Sequence, residues 1–225
     1  GTNTNCTIDC IVNQIKLSGG TFDGTGTFEQ NGTANGWGDG GCVFNGAVTM
    51  TKSGTATFRL GGVNPDTFNA KATFICTNSG NLEVSHGSQS VFRDSVFLNT
   101  THSTAHISFC NSSTLATLEQ EAVIVTGSTG LTNGKITLKA LQQTSNKSNI
   151  LNGTGNLLVN VDSCQFTGEV NITAPSILIK NNIFNAATTL IKTTASTNSY
   201  SSGGNIFNST ATIENQDATR AFRLA

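Results

Sequence analysis

Short segments of the chain alternate apolar and polar residues with a period of two, the pattern of a β-strand with one buried face. These segments are rich in β-branched and aromatic residues, which favour strands. The clearest examples are residues 47–51, 55–60, 71–76 and 135–139. Clusters of Gly, Asn and Asp, as at residues 38–41, separate them and indicate turns. The pattern therefore predicts many short strands joined by tight turns.

One segment is compatible with a helix. Within residues 112–125, Leu115, Leu118 and Ala122 fall roughly on one helical face. The run Ala-Val-Ile-Val-Thr at residues 122–126 is more typical of a strand, because β-branched residues favour extended backbone. A strand is therefore the favoured interpretation, with the helix as the alternative.

A phenylalanine recurs within a short motif of apolar residue, Phe, Asn or Asp, and small residue. Its seven positions are Phe22, Phe44, Phe68, Phe92, Phe166, Phe184 and Phe207. Neighbouring members lie 18 to 24 residues apart, except across the gap from Phe92 to Phe166, where residues 131–138 fit the motif with leucine. A period near 20 residues indicates stacked coils, because one such unit cannot bury its apolar face without neighbours.

A longer repeat contains the short one. Residues 40–50 return as residues 203–213, an offset of 163 positions. Residues 1–61 are therefore interpreted as equivalent to residues 164–225, so that 1–225 form one continuous solenoid of about 1.4 copies of a 163-residue unit. A chain of this kind is expected to be part of a longer tandem array, inside a precursor whose export signal lies elsewhere.

Together the two periods predict an all-β fold, a right-handed parallel β-helix (β-solenoid) with about ten coils of roughly 18–24 residues. The seven phenylalanines would stack as an aromatic ladder inside the rod. Asparagines that follow them would stand at a corner, where an amide satisfies backbone groups of the next coil or tolerates a left-handed conformation. These are Asn45, Asn69, Asn185 and Asn208.

Composition narrows the possible partners. Charged residues make up 11% of the chain, and the net charge is −1. A net charge this close to zero gives no electrostatic attraction to nucleic acid or to an anionic membrane, so neither is expected as a partner. No run of 18 apolar residues occurs, and membrane insertion is not expected. A polar, nearly uncharged surface rich in Thr, Ser, Asn and Gly is typical of an exported protein.

The motifs at residues 203–213 and 64–74 resemble the "GGNTFNGxTTI" and "NPDTFNGxVTF" units of very large Bacteroidetes cell-surface proteins. Such proteins are commonly exported by the type IX secretion system and act as adhesins or filaments. The resemblance implies an extracellular, cell-surface location and a structural or adhesive role, with no enzyme activity, catalytic residue, metal or cofactor. Implied partners are neighbouring repeats of the same chain and, further, surface polysaccharide or other cells.

The sequence departs from the family pattern at three places. Cys42 stands where the repeat units have asparagine, and Arg93 and Asp94 follow Phe92. Residues 105–150 follow the pattern poorly. The assignment of coils is therefore weakest in the middle of the chain.

Two other function classes stay open. A polysaccharide-binding or polysaccharide-degrading β-helix would need clustered carboxylates or exposed aromatics. Candidate acids are Asp66 with Asp94 and Glu119 with Glu121, and the candidate aromatics are Trp37 and Tyr200, which align at the 163-residue offset. The other class is an ice-binding β-solenoid with a flat threonine array, suggested by Thr-x-Thr triplets at residues 25–27, 49–51, 55–57 and 210–212.

The metal and thiol candidates are few. His102 and His106 are four residues apart, a spacing that converges on a metal only in a helix, and the Asp39 turn is a candidate for calcium. The six cysteines permit disulfides in an exported chain, including a local bridge between Cys6 and Cys10. Buried free thiols are the alternative.

Overall fold

The structure is a computed structural model that describes residues 2–3, 7–112, 115–126, 131–194 and 198–224. All regular elements in these ranges are β-strands, and the strand pairings are parallel. The predicted fold class, an all-β parallel β-helix, is confirmed.

The strands are short, with two to five residues each. The first eleven are β1 (Thr2–Asn3), β2 (Ile8–Val12), β3 (Thr21–Phe22), β4 (Gly26–Gln30), β5 (Gly36–Trp37), β6 (Val43–Phe44), β7 (Val48–Lys52), β8 (Phe58–Arg59), β9 (Thr67–Phe68), β10 (Ala72–Cys76) and β11 (Gly80–Val84). The next nine are β12 (Val91–Phe92), β13 (Val96–Thr100), β14 (Ala105–Phe109), β15 (Ala116–Leu118), β16 (Ile124–Thr126), β17 (Lys135–Lys139), β18 (Leu141–Gln143), β19 (Asn149–Asn152) and β20 (Leu158–Asp162). The last nine are β21 (Gln165–Phe166), β22 (Val170–Ala174), β23 (Ser176–Lys180), β24 (Ile183–Phe184), β25 (Thr188–Lys192), β26 (Ser199–Tyr200), β27 (Ile206–Phe207), β28 (Ala211–Asn215) and β29 (Phe222–Arg223).

From β3 onward every third strand joins the same sheet, so one coil contributes one strand to each of three sheets. The first sheet runs β1-β3-β6-β9-β12-β15-β18-β21-β24-β27. The second sheet runs β2-β4-β7-β10-β13-β16-β19-β22-β25-β28. The third sheet runs from β5 through β8, β11, β14, β17 and β20 to β23, and β26 and β29 form a separate pair.

The coil count is slightly lower than the predicted ten, with about eight turns stacked in the solenoid. The first and second sheets each have ten strands, whereas the continuous part of the third sheet has seven. Between β23 and β26, serine hydroxyls replace the backbone carbonyls of a normal ladder. Ser199 Oγ accepts from the Ile177 amide at 3.2 Å, and Ser201 Oγ accepts from the Ile179 amide at 3.1 Å. The two strands therefore stay in contact without a β-ladder.

Alternation in the second sheet builds much of the core. In β7, Val48 and Met50 point inward and are buried, whereas Thr49 and Thr51 point outward and are half-buried. The register places Met50 beside Phe74, and Phe74 beside Leu98, in successive coils. Equivalent side chains therefore pack in columns along the rod axis.

The helical alternative for residues 112–125 is wrong over the described part of that segment. Ala116–Leu118 and Ile124–Thr126 are strands of the first and second sheets. Burial alternates along Ala116–Leu118, and Ile124 at the start of the other strand is fully buried. The local preference of β-branched residues for extended backbone prevails over the weak 3.6-residue pattern.

A left-handed residue ends most strands of the third sheet and turns the chain toward the first sheet. The non-glycine examples, with φ between 49° and 57°, are Ser85, Cys110, Ala140, Ser163 and Asn181. Gly61 takes the same role after β8, with φ of 64°. Asn45, Asn69, Asn185 and Asn208 are not among the positive-φ residues, so the left-handed alternative does not apply to these four. The left-handed corner lies elsewhere in the coil.

The seven phenylalanines occupy the same position of the first sheet and form two stacked runs. In the first run, centroids are 5.0 Å apart for Phe22 and Phe44, 4.9 Å for Phe44 and Phe68, and 4.8 Å for Phe68 and Phe92. In the second run, Phe184 lies 5.8 Å from Phe166 and 5.0 Å from Phe207. Interplanar angles of 5° to 13° show parallel rings in both runs.

Between the two runs, Leu118 and Gln143 take the phenylalanine position. Gln143 is 1% exposed, and its amide bonds to neighbouring backbone and side chains. Its Oε1 accepts from Asn149 Nδ2 at 2.9 Å and from the Gly168 amide at 3.1 Å. This buried polar pair replaces ring stacking in the segment where the sequence repeat is weakest.

Replacement of Phe68 by Ala should cost about 3–5 kcal/mol of unfolding free energy, because the ring is 1% exposed and stacked on both sides. Phe207→Ala is the matched control, since that ring is half-buried and stacks on one side only, and should cost about 1–2 kcal/mol. Denaturant unfolding measures both values. A loss below about 1 kcal/mol for Phe68→Ala would contradict the ring stack as a source of stability.

Candidate functional site

Two exposed aromatic residues lie on the outer face of the third sheet and its separate pair, each next to an arginine of the following coil. The Arg59 guanidinium lies 4.9 Å from the Trp37 ring centroid, and the Arg223 guanidinium lies 5.0 Å from that of Tyr200. Trp37 and Tyr200 are 52% and 53% exposed. Both pairs are cation–π contacts, so the 163-residue repeat preserves a local interaction as well as a sequence motif.

In the first copy, a buried carboxylate extends this contact. Arg59 Nε donates to Glu83 Oε2 at 2.7 Å, and His86 Nδ1 lies 3.0 Å from the same oxygen. Asn111 Nδ2 donates to Glu83 Oε1 at 3.2 Å. Glu83 is only 4% exposed although it points outward, because these side chains cover it. The resulting Glu83 clamp ties three successive coils together.

A ladder of polar side chains lies at the corner that comes directly after the strands of the first sheet. Asn45 Nδ2 donates to Asp23 Oδ1 at 2.6 Å, and Asn69 Nδ2 donates to Asn45 Oδ1 at 2.6 Å. Arg93 Nη1 then donates to Asn69 Oδ1 at 2.7 Å. Arg93 Nε also pairs with Glu119 at 3.3 Å. Asp23 thus accepts at one end of this chain of amide hydrogen bonds, and Arg93 donates at the other end.

The same ladder starts again in the second copy. Asn208 Nδ2 donates to Asn185 Oδ1 at 2.7 Å. The structure therefore places the four predicted asparagines at one corner, but corrects their role. Their amides bond to each other rather than to backbone groups of the next coil, because in-register stacking brings equivalent amides within hydrogen-bonding distance.

The outer face of the second sheet carries a column with one residue per coil. Along the axis its members are Asp9, Thr27, Thr49, Thr73, Phe97, Val125, Ile150, Asn171, Thr189 and Thr212. Threonine occupies three successive coils, and apolar residues occupy the next three. Of the four Thr-x-Thr triplets, only residues 49–51 lie wholly within a strand of this face. Hydroxyl rows and an apolar strip thus share one surface.

A groove of about 380 Å³ lies at the corner between the second and third sheets. Its lining comes from three coils and includes Asn152, Thr154, Thr173, Pro175 and Thr193. All of its lining residues are uncharged, so it offers hydroxyl and amide groups for binding but no acid–base pair.

The candidate acids do not form a shared site. Asp66 is buried inside the rod at 2% exposure, whereas Asp94 is half-buried and accepts from the Ser95 amide at 2.6 Å. Glu119 pairs with Arg93, and Glu121 pairs with Lys147 at 2.5 Å. Each carboxylate thus has its own structural partner.

The histidine pair is also separated by its contacts. His106 Nε2 lies 2.9 Å from Thr137 Oγ1 in the next coil, and burial lowers the pKa of His106 to about 4. His102 is exposed, and its Nδ1 lies 3.1 Å from Thr104 Oγ1. Over the part of the chain that the structure describes, no three His, Cys, Asp or Glu side chains gather as a metal site, the Asp39 turn included.

Five cysteines are free thiols: Cys10, Cys42, Cys76, Cys110 and Cys164. The predicted partner of Cys10, Cys6, lies outside the described residues. Burial raises the pKa of the Cys110 and Cys164 thiols to about 12. The four buried cysteines therefore act as small core residues, which is the second of the two alternatives.

Sequence reasoning missed an internal ladder formed by the residue just before several strands of the first sheet. Asp66 Oδ1 accepts from the Cys42 amide at 2.9 Å, and Ser90 Oγ accepts from the Asp66 amide at 3.1 Å. In the second copy, Asn182 Oδ1 accepts from the Cys164 amide at 2.9 Å. The sequence does contain a signal for this ladder, because Asp66, Ser90 and Asn182 each stand two residues before a phenylalanine of the motif.

Asp66 should make stability depend on pH. Burial is the largest cause of its raised pKa, about 6 against 3.8 for the free group, and backbone hydrogen bonds from Cys42 and Gly61 oppose it. A pKa raised on folding contributes stability that is complete below pH 4 and lost as the pH rises to about 6. The loss from this group is about 3 kcal/mol.

The control is Asp66→Ser, because Ser90 fills the same position one coil later without charge. The unfolding free energy of the variant relative to the parent should rise by about 3 kcal/mol between pH 4 and pH 7. Denaturant titrations at each pH measure this difference. A difference that does not change with pH would show that folding leaves the pKa of Asp66 unshifted, and would contradict the prediction.

No described helix is long and apolar enough to cross a membrane. Comparisons of the chain with protein-family models, with curated proteins and with solved structures gave no match.

Proposed function

We propose that the chain is a non-catalytic structural and adhesive module of a long extracellular filament or stalk protein. One observation carries the proposal: the long repeat contains a whole number of coils. From β3 to β24, the equivalent strands of the two copies, the first sheet advances by seven strands. Units of this kind stack in phase, because each one begins at the same corner of the coil as the last.

Whole-coil repetition also keeps surface chemistry on one side of the rod. Trp37 and Tyr200 point out from equivalent strands, and each has its arginine neighbour at about 5 Å. A repeat with a fractional number of coils would rotate successive units around the axis. A tandem array of these units would instead present one row of aromatic–arginine pairs along its length.

The interactions between coils suit a mechanical role. Backbone ladders link neighbouring coils in the first and second sheets along the whole described chain, and the Glu83 clamp and the asparagine ladder add side-chain links. Nearest-neighbour contacts of this kind make stability additive in the number of coils. A longer rod can therefore be built by adding coils, because each new coil contacts only its neighbours.

The adhesive part of the proposal rests on the exposed chemistry. The second sheet shows threonine and asparagine rows beside the apolar strip of Phe97, Val125 and Ile150. Neutral hydroxyl and amide rows beside exposed aromatics suit contact with surface polysaccharide or with other cells. Neighbouring repeats of the same chain would be the other partners.

The location is likewise a proposal, supported by the resemblance of residues 203–213 and 64–74 to repeat units of Bacteroidetes surface proteins. Export through a type IX system and a place at the cell surface follow from that resemblance. A neutral surface of Thr, Ser, Asn and Gly is compatible with it.

The test is a set of proteins with one, two or three units, made by repeating residues 44–206 after Ile206. Each added unit should lengthen the particle by about 34 Å, seven coils at about 4.8 Å each. Small-angle scattering and negative-stain images measure the length. Flexibly linked beads, or a length that does not grow in these steps, would contradict the proposal.

A further inference from the structure

The charged side chains of the described strands are separated by face. The outward residues of the third sheet and its separate pair include two carboxylates and five cations, namely Glu83, Asp162, Arg59, Lys135, Lys139, Lys180 and Arg223. The outward residues of the second sheet, over its described strands, include no cation and three carboxylates, namely Asp9, Glu29 and Glu214. The net charge of −1 therefore conceals a rod with a basic face and an acidic face.

The middle of the basic face holds a group of five residues, which we call the lysine patch. Lys135, Thr137 and Lys139 point outward from β17, Asn160 from β20 and Lys180 from β23. The register places Lys180 two coils from Lys139, about 10 Å between Cα atoms. Lys135 lies about 13 Å from Lys139 along the strand. Three cations thus surround a hydroxyl and an amide on one flat sheet.

The positive charge of the lysine patch is not neutralised within the fold. Among the described residues, none of its three lysines forms an ion pair. Asp162 stands between Lys139 and Lys180 in the register, but its Oδ1 accepts from Ser163 Oγ at 2.9 Å. Lys139 Nζ reaches only the Asn111 carbonyl, at 3.4 Å. The ammonium groups are therefore available to an external anion.

We propose that the lysine patch binds an acidic polysaccharide, a polymer of uronic acid. Its carboxylates pair with Lys135, Lys139 and Lys180, and its hydroxyl groups bond to Thr137 and Asn160. The inference rests on the proposed function, which includes surface polysaccharide as a partner, and adds the charge of the ligand and the residues that hold it.

The aromatic–arginine pairs lie on the same face of the rod. Trp37 and Tyr200 are half-exposed, and each has a guanidinium about 5 Å from its ring centroid. An exposed ring packs against the apolar side of a sugar, while the neighbouring cation attracts a carboxylate. A polymer lying along the rod axis would meet such a pair on either side of the lysine patch.

Nucleic acid is a poorer match for the lysine patch. Phosphates follow one another about every 3.4 Å along a nucleic acid strand, whereas the lysines are about 10 to 13 Å apart. None of the outward residues of β17, β20 and β23 is aromatic, so the patch has no ring on which a base could stack. Sparse cations with hydroxyl and amide groups between them suit a sugar polymer better.

A second copy packed side by side is also a poorer match. Asp9 and Glu29 lie on β2 and β4, and Glu214 lies on β28. The seven strands of the second sheet between β4 and β28 have no outward carboxylate among their described residues. A copy aligned in register would therefore place uncharged strands against the lysine patch.

The test is equilibrium binding of an alginate oligosaccharide at low ionic strength, measured by titration calorimetry. Replacement of both Lys139 and Lys180 by Gln should weaken binding about tenfold, because two exposed ion pairs are lost. The control replaces Lys71 and Lys147 by Gln, which removes the same charge from outside the basic face. It should stay within about twofold of the parent, since screening limits the reach of exposed charges.

Asp162→Asn provides a gain of affinity that misfolding could not produce. It removes the carboxylate that stands between Lys139 and Lys180 in the register. Binding of the same oligosaccharide should tighten about threefold, because the repulsion between Asp162 and the ligand carboxylates is lost.

Equal weakening by the two double variants would show that only the total charge matters, and would overturn the inference. So would no binding of alginate by the parent, or equal binding of neutral dextran. Equally tight binding of single-stranded DNA would assign the face to nucleic acid instead. Self-association that is lost in the Lys139 and Lys180 variant, measured by sedimentation, would assign it to a second copy. Each of these results leaves the rod proposal to the length measurement.

Discussion

In-register pairing of parallel strands from one coil to the next is the constraint on which the rest of this structure depends. Because the pairing is parallel, a residue meets its own equivalent about one coil later, at a spacing of about 4.8 Å. Stacked phenylalanines, the asparagine ladder and the recurrent capping of backbone amides are consequences of that spacing. In-register pairing places identical side chains next to each other in neighbouring coils. Aromatic rings stack and amides hydrogen-bond in this arrangement, whereas two side chains of equal charge repel each other.

The two buried lysines of the described chain both have partners from the stack. Lys192 Nζ lies 2.9 Å from Asp217 Oδ2, and both side chains are buried. Lys52, also buried, donates to the carbonyls of Gly54 and Ser79, and burial lowers its pKa. Carbonyl groups at the corners can accept from an ammonium because the turns there leave them outside the strand ladders. Lys52 and Lys192 are accordingly the last residues of β7 and β25, next to a corner.

The sequence was sufficient to predict the fold class, since the phenylalanine period and the alternation within strands are both local signals. It did not predict which corner is left-handed, because Ser85, Cys110 and Ala140 have no special preference for that conformation. The Glu83 clamp was also missed. Its members Arg59 and Asn111 are 24 and 28 residues away along the chain, and they meet only once the register is known. In the middle of the chain, Gln143 occupies the phenylalanine position, so the period is lost there although the fold continues.

For function, the important property is that one coil can replace another. Deletion of residues 43–66, one whole coil, would bring Thr67 to the position of Val43 and leave every remaining strand in register. Deletion of residues 43–54 removes about half a coil and misaligns all three sheets. Thermal unfolding followed by circular dichroism compares the two proteins directly. A cooperative β transition for the whole-coil deletion, and its loss for the half-coil deletion, is the result that stacking by register predicts; equal damage from both would contradict it.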